Sequence, residues 1–465
     1  MAGVDRQASE PAEVLVGRAG SAVARRARRL LGGVYGKRVV VVAGKGNNGA
    51  DGRTAARLLS GGGARVEVLE AGALAPGQRL PEADLVVDAA YGTGLQRPYY
   101  PPSSPGTPVL AVDVPSGLSG LTGEVVGDGG VLPARATVTF AALKPGLLLG
   151  QGPALAGDVE LADIGLGPLV DAVARCWLVE DTDVTQALPR RPHDAHKWQT
   201  ALHVVAGSPA MTGAPWLVSR GALRAGAGYV RLSIPGVSPS ALPPSEVVHV
   251  PVPATGWHTM VLEGLERVKA LVVGPGLGQG GGAEPGGRTG PGPGGTTVGG
   301  EVGLLVARAP VPVVLDADGL NAMGTLEAVA EVARRRSHPT VITPHVGELT
   351  RLAGEPPGPD RLGAVRKAAA RSGAIVLLKG STSLVASPDG RVLAVASGGP
   401  RLATAGTGDV LSGMVGAFIA RGLGAFEAAA FAAHVHGRAA SLGHGEGLVA
   451  GDIPELVAAW LSRGH

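Results

Sequence analysis

The stretch RVVVVAGKGNNGADG, residues 38–52, decides how the first part of the chain folds. Val39, Val40, Val41 and Val42 form an unbroken β-branched run, as expected of a strand buried on both faces of a parallel sheet. The run enters a glycine-rich turn in which Gly44, Gly46 and Gly49 fit the G-x-G-x-x-G spacing of a dinucleotide-binding loop. Yet Asn47, Asn48 and Asp51 put amide oxygens and a carboxylate where such a loop normally offers backbone N–H groups. These side chains suit an alkali or alkaline-earth cation, or a polar substrate. Glu67 and Glu70 lie about where a ribose-binding acid belongs, so a nicotinamide-dependent dehydrogenase is also open at this point.

Outward from this stretch, apolar runs at 65–69, 85–87, 109–112 and 137–140 read as strands, and residues 54–59 start a helix. Alternation of this kind predicts a parallel sheet with helices on both faces. Asp88 and Asp113 close two of the strands, and Lys144 follows a third. Ligands of open α/β sheets bind at the C-terminal strand ends, so these groups should converge with the 44–52 turn.

At 465 residues the chain is too long for one ordinary core. The alternation fades between 167 and 179 and resumes from Ala201, which predicts two different α/β domains, 1–172 and 173–465. A formal charge of +3 and only short arginine runs (Arg25, Arg26, Arg28, Arg29; Arg334, Arg335, Arg336) exclude a basic nucleic-acid face. A single cysteine, Cys176, excludes an internal disulfide and a cysteine-built zinc site. Arginines interrupt any N-terminal apolar segment, and no apolar run is long enough to span a membrane. The expectation is a cytoplasmic protein with no membrane partner. Residues 279–300, QGGGAEPGGRTGPGPGGTTVGG, read as a flexible Gly/Pro surface loop.

The strongest signal of the second half is LATAGTGDVLSGMVGAF, residues 402–418. Small residues with Gly406 and Gly408 lead into a helix whose first N–H groups form an anion hole for a phosphoryl group. Asp409, in the first helical turn, is placed to take a proton from an attacking hydroxyl.

Taken in order, GKGNNGADG, DAAYGTGLQRP, DVPSGL and TVTFAALKPG resemble the NAD(P)H-hydrate epimerase family over nearly all of the first 170 residues. The resemblance implies a Rossmann-like three-layer αβα domain in which Asn48, Asp88 and Ser116 ligate a potassium ion. It implies substrate contacts from Asn47, Asn48, Gly49, Ala50 and Asp51, from Gly92, Thr93, Gly94, Leu95, Gln96, Arg97 and Pro98, and from Asp113. Asp113 and Lys144 would be the acid–base pair that inverts C6 of the hydrated nicotinamide ring. Two departures stand out: Ala50 replaces the usual second glycine of N-N-G-G-D-G, and the N-terminal helical region is short.

The G-T-G-D element matches ribokinase-like enzymes. With HKWQTALHVVAGSPAMTG, VVGPGLG, VVLDADGLNAM, TPHVGEL and LLKGSTSLV, the second half resembles their NAD(P)H-hydrate dehydratase branch. Trp198 and Ala201 replace glycines common in its H-K-G segment. The resemblance implies that Ala214, Gly276, His345 and Asp409 touch the hydrate. Lys379, Gly380, Ser381, Thr382 and Ser383, with Gly406, Thr407 and Gly408, would bind adenine nucleotide. ADP would be the phosphoryl donor, with Mg2+ bridging its phosphates. The whole chain then reads as a bifunctional repair enzyme acting on NADHX and NADPHX, with homo-oligomerisation left open. The alternatives are a ribokinase-like small-alcohol or vitamin-precursor kinase fused to a nucleotide-binding module, the dehydrogenase, and a first half that only binds.

Overall fold

The computed structural model describes residues 9–242, 245–278 and 297–463. Contacts divide the chain into two compact units, the second beginning at Arg175, with Pro359–Arg361 grouped to the first.

The first unit is a six-stranded sheet of β1 Arg38–Ala43, β2 Arg65–Glu70, β3 Leu85–Ala89, β4 Val109–Val112, β5 Ala136–Phe140 and β6 Asp158–Ala162. Every pair is parallel, in the order β2-β1-β3-β4-β5-β6. Edge strand β6 is largely polar, DVELA, which is why the apolar pattern did not announce it. In central β1, Val39 and Val41 face one core, with helix α1 (Ala12–Leu31) and helix α2 (Asn47–Gly61), while Val40 and Val42 face the other. That second face is covered by the turn at Ala71–Ala73 and by loop residues such as Leu80 and Tyr99. The chain leaves β1 to build β2 on one side and later places β3 on the other. The crevice at this switch point is where an open α/β sheet takes its ligand.

Among the described residues the second unit holds ten strands: β7 Cys176–Leu178, β8 Ala201–Val205, β9 Tyr229–Ser233, β10 Val248–His249, β11 Ala270–Val273, β12 Val313–Leu315, β13 Thr340–Ile342, β14 Ile375–Leu378, β15 Ser383–Ala386 and β16 Val392–Val395. Their order is β10-β9-β8-β11-β12-β13-β14-β15-β16-β7, parallel except for the antiparallel β14–β15 and β15–β16 pairs. The switch point lies between β8 and β11. β7 comes from the 167–179 stretch where the alternation fades; it is three residues long and pairs only at the sheet edge.

Helices α3 (Gly213–Arg224), α4 (Val346–Ala353), α5 (Thr407–Ala420) and α6 (Ala425–Ala440) position the functional groups of this unit. α5 is buried along almost its whole length. It lies against α3 so closely that a Cβ on Gly413 would stand 2.0 Å from the Val218 carbonyl oxygen, and one on Gly221 would stand 2.4 Å from that of Val410. Only glycine permits this approach.

The Gly/Pro loop expected over 279–300 is shorter at its C-terminal side. Val298–Arg308 is a helix capped by Thr297, whose hydroxyl accepts from the Gly300 N–H at 3.2 Å. Residues 279–296 lie outside the described ones. Among the described residues no helix is long and apolar enough to cross a membrane.

Gly413→Ala must push α5 away from α3. It should destabilise the second unit by about 1–3 kcal/mol, seen as a lower unfolding temperature in calorimetry. An unchanged transition would contradict the close-approach account.

Candidate functional site

In the first unit the turn after β1 is shorter than its sequence suggests. Gly46 adopts an extended conformation (φ −89°, ψ −170°) and α2 starts at Asn47, so Asn47, Asn48 and Asp51 project from helical turns and not from a loop. The reason is steric: a Cβ on Gly49 would lie 1.8 Å from the Gly44 carbonyl oxygen, and the chain coils as soon as it leaves the strand. Ala50 is helical, its N–H donating to the Gly46 carbonyl at 3.1 Å, and carries no backbone strain.

A cavity of about 830 Å3 opens here, lined by Asn47, Asn48, Asp51, Asp113, Lys144 and residues 92–97. Its other wall comes from residues that sequence reasoning missed, among them Glu10, Leu15 and Val16 on and before α1. Gly49, Ala50 and Pro98 do not line it; Pro98 packs against Gly127. Nor does Glu70 line it. It pairs with Arg53 at 2.5 Å, whose guanidinium also donates to the Gly44 carbonyl.

Asp113 sits in the left-handed region (φ 68°), uncommon for a residue other than glycine and a recurrent mark of functional positions. Its Oδ1 lies 2.5 Å from Lys144 Nζ and accepts from Thr139 at 3.2 Å. Lys144 is buried and also donates to the Phe140 carbonyl at 2.8 Å. Burial, reinforced by the charge of Asp113, pushes the Asp51 carboxyl up to about 8, so it holds its proton at neutral pH.

Asp88 and Ser116 lie fully buried together. Ser116 Oγ donates to Asp88 Oδ1 at 2.6 Å, and the Ser116 N–H donates to Oδ2 at 2.8 Å. Burial drives the Asp88 carboxyl above its ordinary range against these hydrogen bonds. The Asn48 side-chain amide is buried with neither its oxygen nor its nitrogen hydrogen-bonded. A Cβ on Gly92 would lie 3.6 Å from Asn48 Oδ1 and 3.4 Å from Asp113 Oδ2, so these side chains crowd the same backbone. An orphaned amide oxygen and a desolvated carboxylate are what a bound cation would satisfy.

In the second unit, Gly406 (φ 89°) caps α5 and directs the first-turn N–H groups of Gly408 and Asp409 outward at the positive end of the helix. The Thr407 hydroxyl lies within hydrogen-bond reach of the Leu402 and Thr404 carbonyls, at 2.9 and 3.0 Å. Buried His436 on α6 hydrogen-bonds the Thr407 backbone, and burial pushes its pKa down to about 4. Burial and then the charge of Asp316 push the Asp409 carboxyl up to about 7, with Lys379 opposing.

Lys379 immediately follows β14, and its Nζ lies 2.8 Å from Asp316 Oδ1 and 3.7 Å from Glu348 Oε2. Although burial works against its charge, these carboxylates hold the ammonium pKa above its usual value. Gly408 faces the same group: a Cβ there would stand 3.4 Å from Lys379 Nζ. Ser412 donates to Asp316 Oδ2 from the next turn of α5. Residues 379–383 turn from β14 into β15; Thr382 is buried, and Ser383 donates back to the Gly380 carbonyl.

His345 caps α4, its Nδ1 accepting from the N–H groups of Gly347 and Glu348. That use of Nδ1 places the ring proton on Nε2, which lies 3.7 Å from Glu348 Oε1. Ala214 and Gly276 meet at the β8/β11 switch point, where a Cβ on Gly276 would stand 3.0 Å from Ala214 Cβ. Asp316, Asp318 and Glu348, all electrostatic neighbours of Asp409, were not singled out from sequence. They sit inside VVLDADGLNAM and TPHVGEL, and the signal available was that two acids follow β12 within three residues. Among the described residues, no group of three or more His, Cys, Asp or Glu side chains is arranged to hold a metal ion.

The family model described as NAD(P)H-hydrate dehydratase matches residues 202–459. The one described as YjeF-related protein N-terminus matches 12–80 and 72–146. The bifunctional NAD(P)H-hydrate repair enzyme Nnr of Salinibacter ruber is 36% identical, over 92% of this chain and 88% of its own. That of Mycobacterium leprae is 36% identical, over 98% and 94%. The crystal structure of ADP/ATP-dependent NAD(P)H-hydrate dehydratase from Bacillus subtilis, co-crystallised with ATP and Mg2+, aligns with TM-score 0.52 and 25% identity. It covers 62% of this chain and 99% of that one.

Because the folded pKa of Asp409, about 7, exceeds the ordinary 3.8, its ionisation costs stability as pH rises through that interval. Asp409→Asn removes the cost. The variant should be more stable than wild type near pH ~8, by on the order of 1 kcal/mol, and lose this advantage near pH ~4. Urea denaturation at both values checks it; equal stability at the higher pH would contradict the assignment.

Proposed function

This chain belongs to the family of bifunctional NAD(P)H-hydrate repair enzymes, and we propose how its two units divide the work. The first equilibrates the R and S epimers of hydrated NADH and NADPH at C6, and the second dehydrates the S epimer back to the reduced nucleotide. The observation that carries the reading is the seat of Asp409: a carboxylate that titrates near neutrality, in the first turn of a helix whose N–H groups form an anion hole.

In the first unit, the ring-nitrogen lone pair expels the C6 hydroxyl, which leaves as water once protonated. Asp51 carries a proton at neutral pH and is placed to supply it. Water then adds to either face of the iminium carbon and gives up its proton to Asp113, which Lys144 holds in place, and exchange with solvent returns Asp113 and Asp51 to their starting protonation. Asn48, Asp88 and Ser116 would hold a potassium ion, which supplies the counter-charge that the buried Asp88 carboxylate lacks. The fit rests on the orphaned Asn48 amide.

In the second unit, a hydroxyl is a poor leaving group. Asp409 takes the proton of the C6 hydroxyl as its oxygen attacks the terminal phosphorus of ADP, and AMP departs. The N–H groups at the start of α5 accept the charge developing on the transferred phosphoryl group. Phosphate then leaves from C6 as the C5 proton is lost, which restores the ring double bond. Residues 379–383 and 406–408 would hold the nucleotide. A magnesium ion would neutralise the phosphates; since the described residues offer no three-ligand cage, it would be held chiefly by the nucleotide. The setting is the cytoplasm.

Incubated with mixed epimers and ADP, the protein should restore all of the reduced-nicotinamide absorbance, the S-epimer phase quickening as pH rises through about 7 and the R-epimer phase slowing above about 8 as Asp51 loses its proton. Asp409→Asn should abolish recovery by at least ~1000-fold while still binding ADP. Absence of recovery with either ADP or ATP would refute the dehydratase assignment.

Asp113→Asn should leave recovery stalled at the share of S epimer, apart from slow spontaneous epimerisation. KCl, unlike NaCl, should raise the unfolding temperature of wild type and not of Asp88→Asn. An equal response in both would remove Asp88 from the cation site.

A further inference from the structure

A cavity of about 330 Å3 in the second unit lies away from the reactive groups. Its lining includes Lys197, Gln199 and Thr200, just before β8, and Gly228, just before β9. These are the N-terminal ends of the strands, whereas the reactive groups follow the C-terminal ends. Arg421, immediately after α5, closes it. One helix therefore joins the two places, with Asp409 and Arg421 about 18 Å apart along it at 1.5 Å per residue.

The charge of this cavity is one-sided. Arg190, Arg191, His196, Lys197 and Arg421 line it, and among the described residues no carboxylate does; Asp194, the one acid in residues 189–200, stays outside the lining. Two guanidinium groups are clamped without being neutralised. Arg421 donates to the Ala225 carbonyl at 3.1 Å and the Pro189 carbonyl at 2.8 Å, and Arg191 donates to the Gly226 carbonyl at 3.1 Å. The Lys197 ammonium lies 5.1 Å from the Tyr229 ring centroid and 5.9 Å from that of Trp198. Burial, together with the charge of Arg191, pushes Arg421 down to about 10. The C-terminus of α5 offsets roughly half a charge, far less than the cations assembled here.

We propose that this cavity is a binding site for a diphosphate or longer polyphosphate anion, separate from the nucleotide site at the other end of α5. Fixed guanidinium forks match phosphate oxygens in geometry and charge. Several cations spread around one cavity suit linked phosphates better than a single one.

Calorimetric titration of the full chain with inorganic pyrophosphate, at constant ionic strength and without added metal, counts the sites. Arg190 and Arg191 are exposed, so R190Q/R191Q should fold, with an unchanged unfolding temperature. It should bind one pyrophosphate fewer than wild type, or bind it at least ~10-fold more weakly, with repair activity unaltered. If the double variant is itself destabilised, R190Q/K197Q should show the same loss. Equal site counts and affinities in wild type and variants would overturn the proposal. Orthophosphate binding as tightly as pyrophosphate would overturn the polyphosphate assignment.

Discussion

Backbone resting on backbone, closer than any Cβ allows, is the constraint from which both sites follow. In the first unit Gly49 against the Gly44 carbonyl closes the turn after β1, so the polar residues that follow emerge on the first turns of α2, at the switch point of the sheet. In the second, the paired contacts of Gly413 and Gly221 let α5 settle against α3 with its body buried. A helix held so tightly cannot rotate to suit a ligand. Its first-turn N–H groups are fixed in direction by that packing, and for the proposed phosphoryl transfer this is the electrostatic preorganisation required. The 76 glycines of the chain thus include contacts between layers as well as turns.

The two units have unrelated sheet orders, yet they use one electrostatic device. Each contains a largely buried Asp–Lys ion pair, Asp113 with Lys144 at 2.5 Å and Asp316 with Lys379 at 2.8 Å. Each sets a second carboxyl nearby, without a lysine of its own, in a desolvated position. Asp51 rises to about 8 and Asp409 to about 7, burial leading in both cases and the paired aspartate contributing next. Proton transfer at neutral pH needs a group whose affinity for the proton is near that of the medium. An ordinary aspartate is too acidic for this; burying it beside a second carboxylate supplies the shift.

Most of this was legible in the sequence where it rested on local pattern. The valine run of β1, the aspartates ending β3 and following β4, and the G-T-G-D start of α5 each declare themselves within a dozen residues. What escaped was long-range or weakly patterned. β6 is polar because it is an edge, and β7 is three residues long and pairs with a strand more than two hundred residues away. Glu10, Leu15 and Val16 reach the first cavity only because α1 packs on the sheet. Asp316 and Glu348 matter because β12 and α4 bring them to Lys379, a convergence across the sheet edge that spacing along the chain does not encode. The helical start at Asn47 was hidden for the opposite reason: a glycine-rich string reads as loop until Gly49 is seen pressed against Gly44.

Under the proposed mechanism, which carboxylate receives the lysine decides which one works as the acid or base. Had Lys144 closed on Asp51, the ion pair would have opposed the desolvation that lifts Asp51, and the cavity would have lost its neutral acid. By closing on Asp113, it leaves Asp51 to feel burial and a neighbouring negative charge together. The second unit adds a further restraint. Asp316 is held from two sides, by Lys379 and by the Ser412 hydroxyl of α5 itself, so the helix that carries Asp409 also fixes the charge that raises it. Under the proposed roles, base, anion hole and tuning charge therefore move as one body. A displacement of α5 that spoiled the anion hole would also release Asp409 toward ordinary acidity, which ties the chemistry of this unit directly to the packing of α5 on α3.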